Sequence, residues 1–196
     1  RGAVLTPIAK AYGTETGVWA ADTGIQVHGG MGYVEETGAA QYLRDVRVTA
    51  IYEGTNGVQA MDLVGRKLAD GGEAAFALLD EVGAAAETAR PAFPDMAAKL
   101  WSASEDMREA TEWMVAQQPG SRFAGAVAYL EAFALVLGAH YHLASAKAAA
   151  NGSAEPRTAL ASAFIHRLLP RQAGLLAEAT HGVGDLEAVS DEALGL

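Results

Sequence analysis

Residues 26–68 read QVHGGMGYVEETGAAQYLRDVRVTAIYEGTNGVQAMDLVGRKL, and this stretch decides the fold because it closes one helix, carries a glycine turn and opens another. Gly29-Gly30, with Gly32 behind them, stop a helix that reads back to Thr6-Pro7, where Thr can cap the first amides and Pro loses a donor that has no partner anyway. A helix is expected from Pro7 to Val27. Gly13, Gly17 and Gly24 each lower its propensity by about 1 kcal/mol, so packing and close backbone approach must hold it. Downstream, Glu35 and Glu36 followed by Ala39, Ala40, Tyr42 and Leu43 suggest a short helix ending near Arg44 to Arg47, with charges that suit its dipole. Val46 to Tyr52 is β-branched and reads as extended or irregular. Gly54-Thr55-Asn56 then supplies a turn and cap for a helix through Met61, Leu63, Val64 and Leu68, which leaves Glu53 on the turn before it.

Outward from this stretch, the 196 residues contain 43 alanines against 5 Phe, 3 Trp and 6 Tyr, which favours close-packed helices over a sheet; the expected class is all-α. A 51% hydrophobic content is ample for a core. Charge is uneven: residues 1–68 carry 7 acids and 6 bases, residues 69–196 carry 17 acids and 8 bases. That distribution opposes nucleic-acid and anionic-membrane partners, which need clustered Lys and Arg. With no cysteine there is neither a disulfide framework nor a thiolate metal site, in keeping with a cytoplasmic setting. No basic start followed by an apolar run is visible, and Arg1 stands where the inside of a helical protein already reads, so the chain is expected to be the C-terminal piece of a longer polypeptide.

Asp70-Gly71-Gly72 marks the expected module boundary, giving residues 1–69 and residues 70–196. Beyond it four helical segments are expected, roughly 73–90, 95–117, 121–150 and 156–181, parted by Pro91 to Pro94, Pro119-Gly120 and Asn151-Gly152-Ser153. Leu100, Met107 and Met114 recur at seven-residue spacing, with Trp101, Ala103 and Ala110 nearby, as one face of a helix in an antiparallel bundle. Phe123 to Ala139 is the most apolar run, but Glu131 interrupts it; it reads as a buried core helix, and no membrane span is expected.

Among candidate chemical groups, His140 and His142 point about 200° apart on a helix and cannot share a metal. His28, His166 and His181 lack carboxylate or thiol partners at ligand spacing, so no metal site is expected. His28-Gly29-Gly30-Met31-Gly32-Tyr33 lacks the spacing and the preceding strand of a dinucleotide fingerprint. Read locally it is either a helix stop or bare backbone that meets a ligand, with the Gln26 amide one turn earlier. Glu53, a lone carboxylate among Ile51, Tyr52 and Gly54, is either a complement to the next helix's dipole or a desolvated general base with a raised pKa.

Several separated elements then agree at once: the Gln with the double Gly and Tyr33, Arg44-Asp45 followed by Arg47, and Ile51-Tyr52-Glu53-Gly54-Thr55 ending in Gln59. On these, residues 26–68 closely resemble the C-terminal helical domain of the acyl-CoA dehydrogenase family, and residues 1–25, with Leu5-Thr6-Pro7, resemble the helix before it. By layout, residues 70–196 resemble the extra helical C-terminal module of the larger bacterial branch that includes 3-methylmercaptopropionyl-CoA dehydrogenase.

The resemblance implies an FAD-dependent oxidoreductase in which Glu53 removes the α-proton of an acyl-CoA thioester while the β-hydride passes to flavin. It places Gly54 against substrate, Thr55 and Gly57 beside FAD, and Gln26, Gly29 and Gly30 against the FAD of a neighbouring subunit, hence a homo-oligomer, dimer or tetramer. The helix opening at Asn56-Gly57 would turn its positive dipole end toward the anionic cofactor. The backbone N–H of Glu53 becomes a donor to the developing enolate oxygen, and Arg44, Asp45 and Arg47 are structural ion pairs. Electrons would leave to an electron-transfer flavoprotein. Much of the FAD and CoA surface of the family lies on domains outside these residues, so this segment alone is expected to be inactive. Competing readings are an acyl-CoA oxidase, a DNA-associated alkylation-response flavoprotein, which the acidic balance opposes, and a non-catalytic helical oligomerisation or partner-binding module.

Overall fold

The structure, a computed structural model, describes residues 1–149 and 155–195. Its elements among those residues are helices and helical turns, as the alanine-rich composition implies. The separator expected at Asn151-Gly152-Ser153 lies outside the described residues.

Helix α1 runs Gly2–His28, so it opens five residues earlier than Pro7. Pro7 sits inside it, and Thr6 does not cap but donates back to Gly2 O at 2.9 Å. Of the four glycines in α1, only Gly17 meets a neighbour: a Cβ there would stand 3.1 Å from Val46 Cγ2, so α1 and the chain after Leu43 come close at this point. Gly29 ends α1 at φ 61°, and α2 (Gly30–Tyr33) follows at once. The helix expected from Glu35 is split by Gly38 at φ 75° into a tight turn Glu35–Thr37 and α3 (Ala39–Arg47). Val48–Ala50 is a 3₁₀ turn rather than extended chain, and among the described residues no strand is present to pair it. Helix α4 (Asn56–Asp62) continues into a wider turn Leu63–Lys67, burying Ala60, Leu63, Val64 and Leu68.

Gly71 and Gly72, both at positive φ, reverse the chain into α5 (Glu73–Ala89), which pairs with α6 (Pro94–Ala116). Leu100, Met107 and Met114 are fully buried along α6 as their spacing requires, whereas Trp101 remains 43% exposed on the flank. The third expected segment breaks at Gly125 into α7 (Pro119–Ala124) and α8 (Ala126–Ala149), since the end of a later helix lies against that position: a Cβ there would stand 2.1 Å from Ala179 O. The fourth breaks at Leu169–Arg171, where Pro170 lacks the N–H to continue, leaving α9 (Glu155–Arg167) and α10 (Gln172–Ala179). A short α11 (Gly184–Glu187) follows.

Helix α8 is the centre of the molecule, packed by α1, α4, α5, α6, α9 and α10. It is long and apolar enough to cross a membrane by composition alone, yet Tyr129, Phe133, Val136 and Ala139 along it are fully buried by protein. Its buried phenol is accommodated internally: Tyr129 OH pairs with Thr111 Oγ1 at 2.8 Å, and the Thr111 hydroxyl also meets Met107 O at 2.7 Å, whereas His140 Nδ1 is buried with no hydrogen-bond partner among the described residues. Burial pushes the Tyr129 phenol far above its usual range. Val4, Ile8, Leu63, Val64 and Leu68 join the same buried cluster as α5 to α10. Arg122 of α7 stitches this seam, donating to Gln117 O, Val115 O and, at 3.5 Å, Val64 O.

Candidate functional site

The site starts from an unusual backbone. Glu53 has φ 56° and Gly54 φ 85°, two consecutive left-handed residues, and Glu53 is the non-glycine residue with positive φ among the described residues. Holding such a residue costs about 1–3 kcal/mol and persists only where the surroundings over-determine it. Here two side chains pin the carbonyls on either side of Gly54. Gln59 Nε2, one turn into α4, donates to Glu53 O at 2.9 Å, and Lys10 Nζ of α1 donates to Gly54 O at 2.8 Å.

The same ammonium donates to Asn56 Oδ1 at 2.8 Å, which fixes the Asn56 amide so that Nδ2 faces Glu15 Oε1 at 2.6 Å and Thr14 Oγ1 at 3.0 Å. The turn is thereby fastened to the middle of α1 by a polar cluster of Lys10, Thr14, Glu15 and Asn56. Among the described residues no acceptor is bonded to the Glu53 N–H, so it is free to donate to a ligand.

Glu53 itself differs from the desolvated carboxylate that its apolar neighbours suggested: it is exposed, because Ile51 and Tyr52 beside it are each 52% exposed and cover nothing. Gly54, Thr55 and Gly57 share that open surface, and the space above the Gly57 α-carbon is empty. Gln26, Gly29 and Gly30 are exposed at the end of α1, with open space over both glycines. They do not join the Glu53 turn: sixteen residues of helix separate Gln26 from Lys10, about 24 Å along the axis. The seven residues therefore form two open patches on one chain. Around and between them lie Trp19, Val27, Met31, Tyr33 and Tyr42, each at least 60% exposed.

Beside the turn, a groove of about 550 Å³ opens between α1, α4, α8 and Arg171, lined by Tyr12, Glu15, Trp19, Asn56 and Glu131. Burial raises the Glu131 carboxyl, with Arg171 opposing and Glu15 and Glu178 adding to the rise. The Arg44, Asp45 and Arg47 group makes a single contact of ion-pair length, Arg44 to Glu35 at 3.6 Å. Asp45 instead accepts from Gln41 Nε2 at 3.4 Å. Among the described residues no three His, Asp or Glu side chains are gathered as metal ligands would be.

Lys10 is the residue that the sequence reading did not single out; Asn56 it read as part of the turn and cap, without the side-chain bonds to Lys10, Thr14 and Glu15. Lys10 is the sole Lys or Arg between Arg1 and Arg44, which is the signal it offers; its target lies 44 residues away and no local pattern connects them.

Residues 3–68 match the family described as acyl-CoA dehydrogenase, C-terminal domain, and residues 78–190 match that described as acetyl-CoA dehydrogenase C-terminal like. A 3-methylmercaptopropionyl-CoA dehydrogenase of Ruegeria pomeroyi is 51% identical over 81 residues, 41% of this chain and 14% of the relative. A butyryl-CoA dehydrogenase of Syntrophomonas wolfei is 39% identical over 33% of the chain and 10% of the relative. The mitochondrial short-chain specific acyl-CoA dehydrogenase of Rattus norvegicus is 43% identical over 31% and 15% respectively. The chain thus aligns with about a seventh or less of the length of these curated relatives.

Proposed function

From the premise that the chain belongs to the acyl-CoA dehydrogenase family, we propose that it is the C-terminal part of an FAD-dependent enzyme that dehydrogenates an acyl-CoA thioester between Cα and Cβ, with Glu53 as the base. The observation that carries this reading is the clamped left-handed turn at Glu53 and Gly54, which holds an exposed Glu53 whose backbone N–H has no acceptor among the described residues.

A thioester α-proton is weakly acidic, so a base must act together with a donor at the carbonyl oxygen where charge develops. Glu53 takes the α-proton, and its own N–H, released from any internal partner, holds the thioester oxygen. A bound FAD would supply the hydride acceptor: the β C–H electron pair would leave with the hydride, and the α C–H pair left by the proton would become the double bond of the enoyl-CoA. On this chain the fit to a flavin rests on open backbone: Thr55 and Gly57 on the turn, and Gln26, Gly29 and Gly30 at the far end of α1. Two patches so far apart suit a cofactor that lies between copies of the chain, and the large apolar side chains left exposed around them suit burial in a homo-oligomer. An electron-transfer flavoprotein is the proposed electron acceptor, and the proposed setting is cytoplasmic. Residues 1–69 would be the catalytic module and residues 70–196 a bundle that packs on it. The exposure of Glu53 is then the state of one wall of a pocket whose other wall lies outside this chain.

The test is anaerobic bleaching of the flavin in the full-length enzyme by a panel of acyl-CoAs. Wild type is expected to bleach with a preferred chain length, and Glu53→Gln to lose roughly 100-fold to 10,000-fold in rate while retaining FAD. Equal bleaching by both proteins, or a full-length protein without flavin, would overturn the reading.

A further inference from the structure

We propose that Lys10 is a positioning residue for the dehydrogenation step: its ammonium holds the Gly54 carbonyl, and through it the left-handed Glu53-Gly54 turn, in the one geometry that presents both the base and its N–H to substrate. This rests on the reading of Glu53 as the base.

Three observations converge on Lys10. It donates to Gly54 O at 2.8 Å and to Asn56 Oδ1 at 2.8 Å, so a single group fixes the turn and the first residue of α4 together. It projects from the part of α1 where Ile8 and Ala11 are buried in the core, so its backbone cannot follow a moving turn. The residue it restrains indirectly, Glu53, has φ 56°, which a free turn would relax toward negative φ, swinging both carboxylate and N–H away. Gln59 restrains the Glu53 carbonyl from within α4, and Asn56 ties the start of α4 to Thr14 and Glu15 of α1; Lys10 is the α1 side chain that bonds directly to a carbonyl of the turn itself. A proton transfer and a hydrogen bond to one oxygen require both groups within a few tenths of an ångström of their places, and a displacement of about 1 Å costs up to a hundredfold in rate.

Proton abstraction needs this geometry more than thioester binding does, so the effect falls on the limiting rate. In the full-length flavoprotein, Lys10→Met keeps the length of the side chain and removes every donor. Stopped-flow bleaching per bound flavin is expected to lose tenfold to a hundredfold in limiting rate, with half-saturating acyl-CoA changed less than about threefold. Lys10→Arg, which retains donors on a charged stem, is expected to recover most of the loss, as a purely space-filling role would not allow. Wild-type limiting rate in Lys10→Met, with Glu53→Gln inactive, would overturn the inference and leave the base assignment standing. Wild-type rate in Glu53→Gln would remove the reading beneath it. Should Lys10→Met yield no flavoprotein, Lys10→Leu, which likewise carries no donor, decides: an undiminished rate per bound flavin overturns the proposal, and a reduced one that Lys10→Arg restores supports it.

Discussion

Residues 1–68 and residues 73–179 are both helical, yet they finish differently. The later part is sealed: α8 is ringed by α5, α6, α9 and α10, with α1 and α4 of the earlier part completing the ring, and Phe133, Leu135 and Val136 have no solvent contact beyond a trace. The earlier part buries one side, Val4, Ile8, Leu63 and Leu68, and leaves Trp19, Val27, Tyr33 and Tyr42 in the open. A chain that seals one half and leaves the other ajar has put its strained backbone, Glu53 and Gly54, on the unsealed half.

The contrast breaks most severely at the centre of the bundle. Phe133→Ala empties a fully buried ring site edge-on to Tyr129, at a centroid distance of 6.0 Å, and is expected to cost about 3–5 kcal/mol by denaturant unfolding. A cost under about 1 kcal/mol would mean the bundle is not the closed core described. Next in size, Tyr129→Phe removes the partner of Thr111 Oγ1, which keeps its bond to Met107 O, so about 1 kcal/mol is expected. On the open half, Tyr33→Ser should shift unfolding of this chain by about 0.5 kcal/mol or less, since Tyr33 is 79% exposed, while weakening self-association of the full-length protein. A large loss of monomer stability would contradict the openness of that surface.

Charge gives two finer probes. His166 Nε2 lies 2.6 Å from Asp95 Oδ2, tying α9 to α6; the bond to Asp95, and then that to the Ser162 carbonyl, raise the imidazole, while the same contact lowers Asp95. For His166 the raised folded pKa means stabilisation in full below the unfolded imidazole range and lost as pH rises through the folded pKa. For Asp95 the lowered pKa means stabilisation above the unfolded carboxylate range, lost as pH falls through the folded value. The pair therefore helps most between those two ranges, and in Asp95→Asn the His166 NMR titration should fall back toward ordinary imidazole. Glu131 behaves oppositely. Its carboxyl is raised by burial, so its ionised form opposes folding above the folded pKa, and the penalty fades as pH falls through it. Glu131→Gln is expected to stabilise at neutral pH by less than about 1 kcal/mol, solvent and Arg171 screening the rest, with the gain vanishing in acid.

The helical class was legible because alanine content and apolar spacing are local properties. The α6 face of Leu100, Met107 and Met114 followed from its seven-residue period. What escaped depended on contacts distant in sequence. The break at Gly125 exists because Ala179 O lies against it, and Pro7 is admitted into α1 because Val4 and Ile8 on either side are anchored in the core. At the site, the turn was legible from Gly54 and Asn56, but its handedness at Glu53 and the Lys10 clamp were not, since 44 residues separate Lys10 from the carbonyl it holds. The exposure of Glu53 was missed for the opposite reason: Ile51 and Tyr52 look like a desolvating pair in one dimension and stand apart from it in three.

The proposed base can be isolated from flavin reduction with a thioester that has α-hydrogens but no β-hydrogen, acetyl-CoA being the simplest. Incubated in D₂O with the full-length protein and followed by mass spectrometry, it should exchange its α-hydrogens with wild type and cease to do so, apart from the solution background, with Glu53→Gln. Equal exchange by both proteins would contradict the assignment of proton abstraction to the clamped turn.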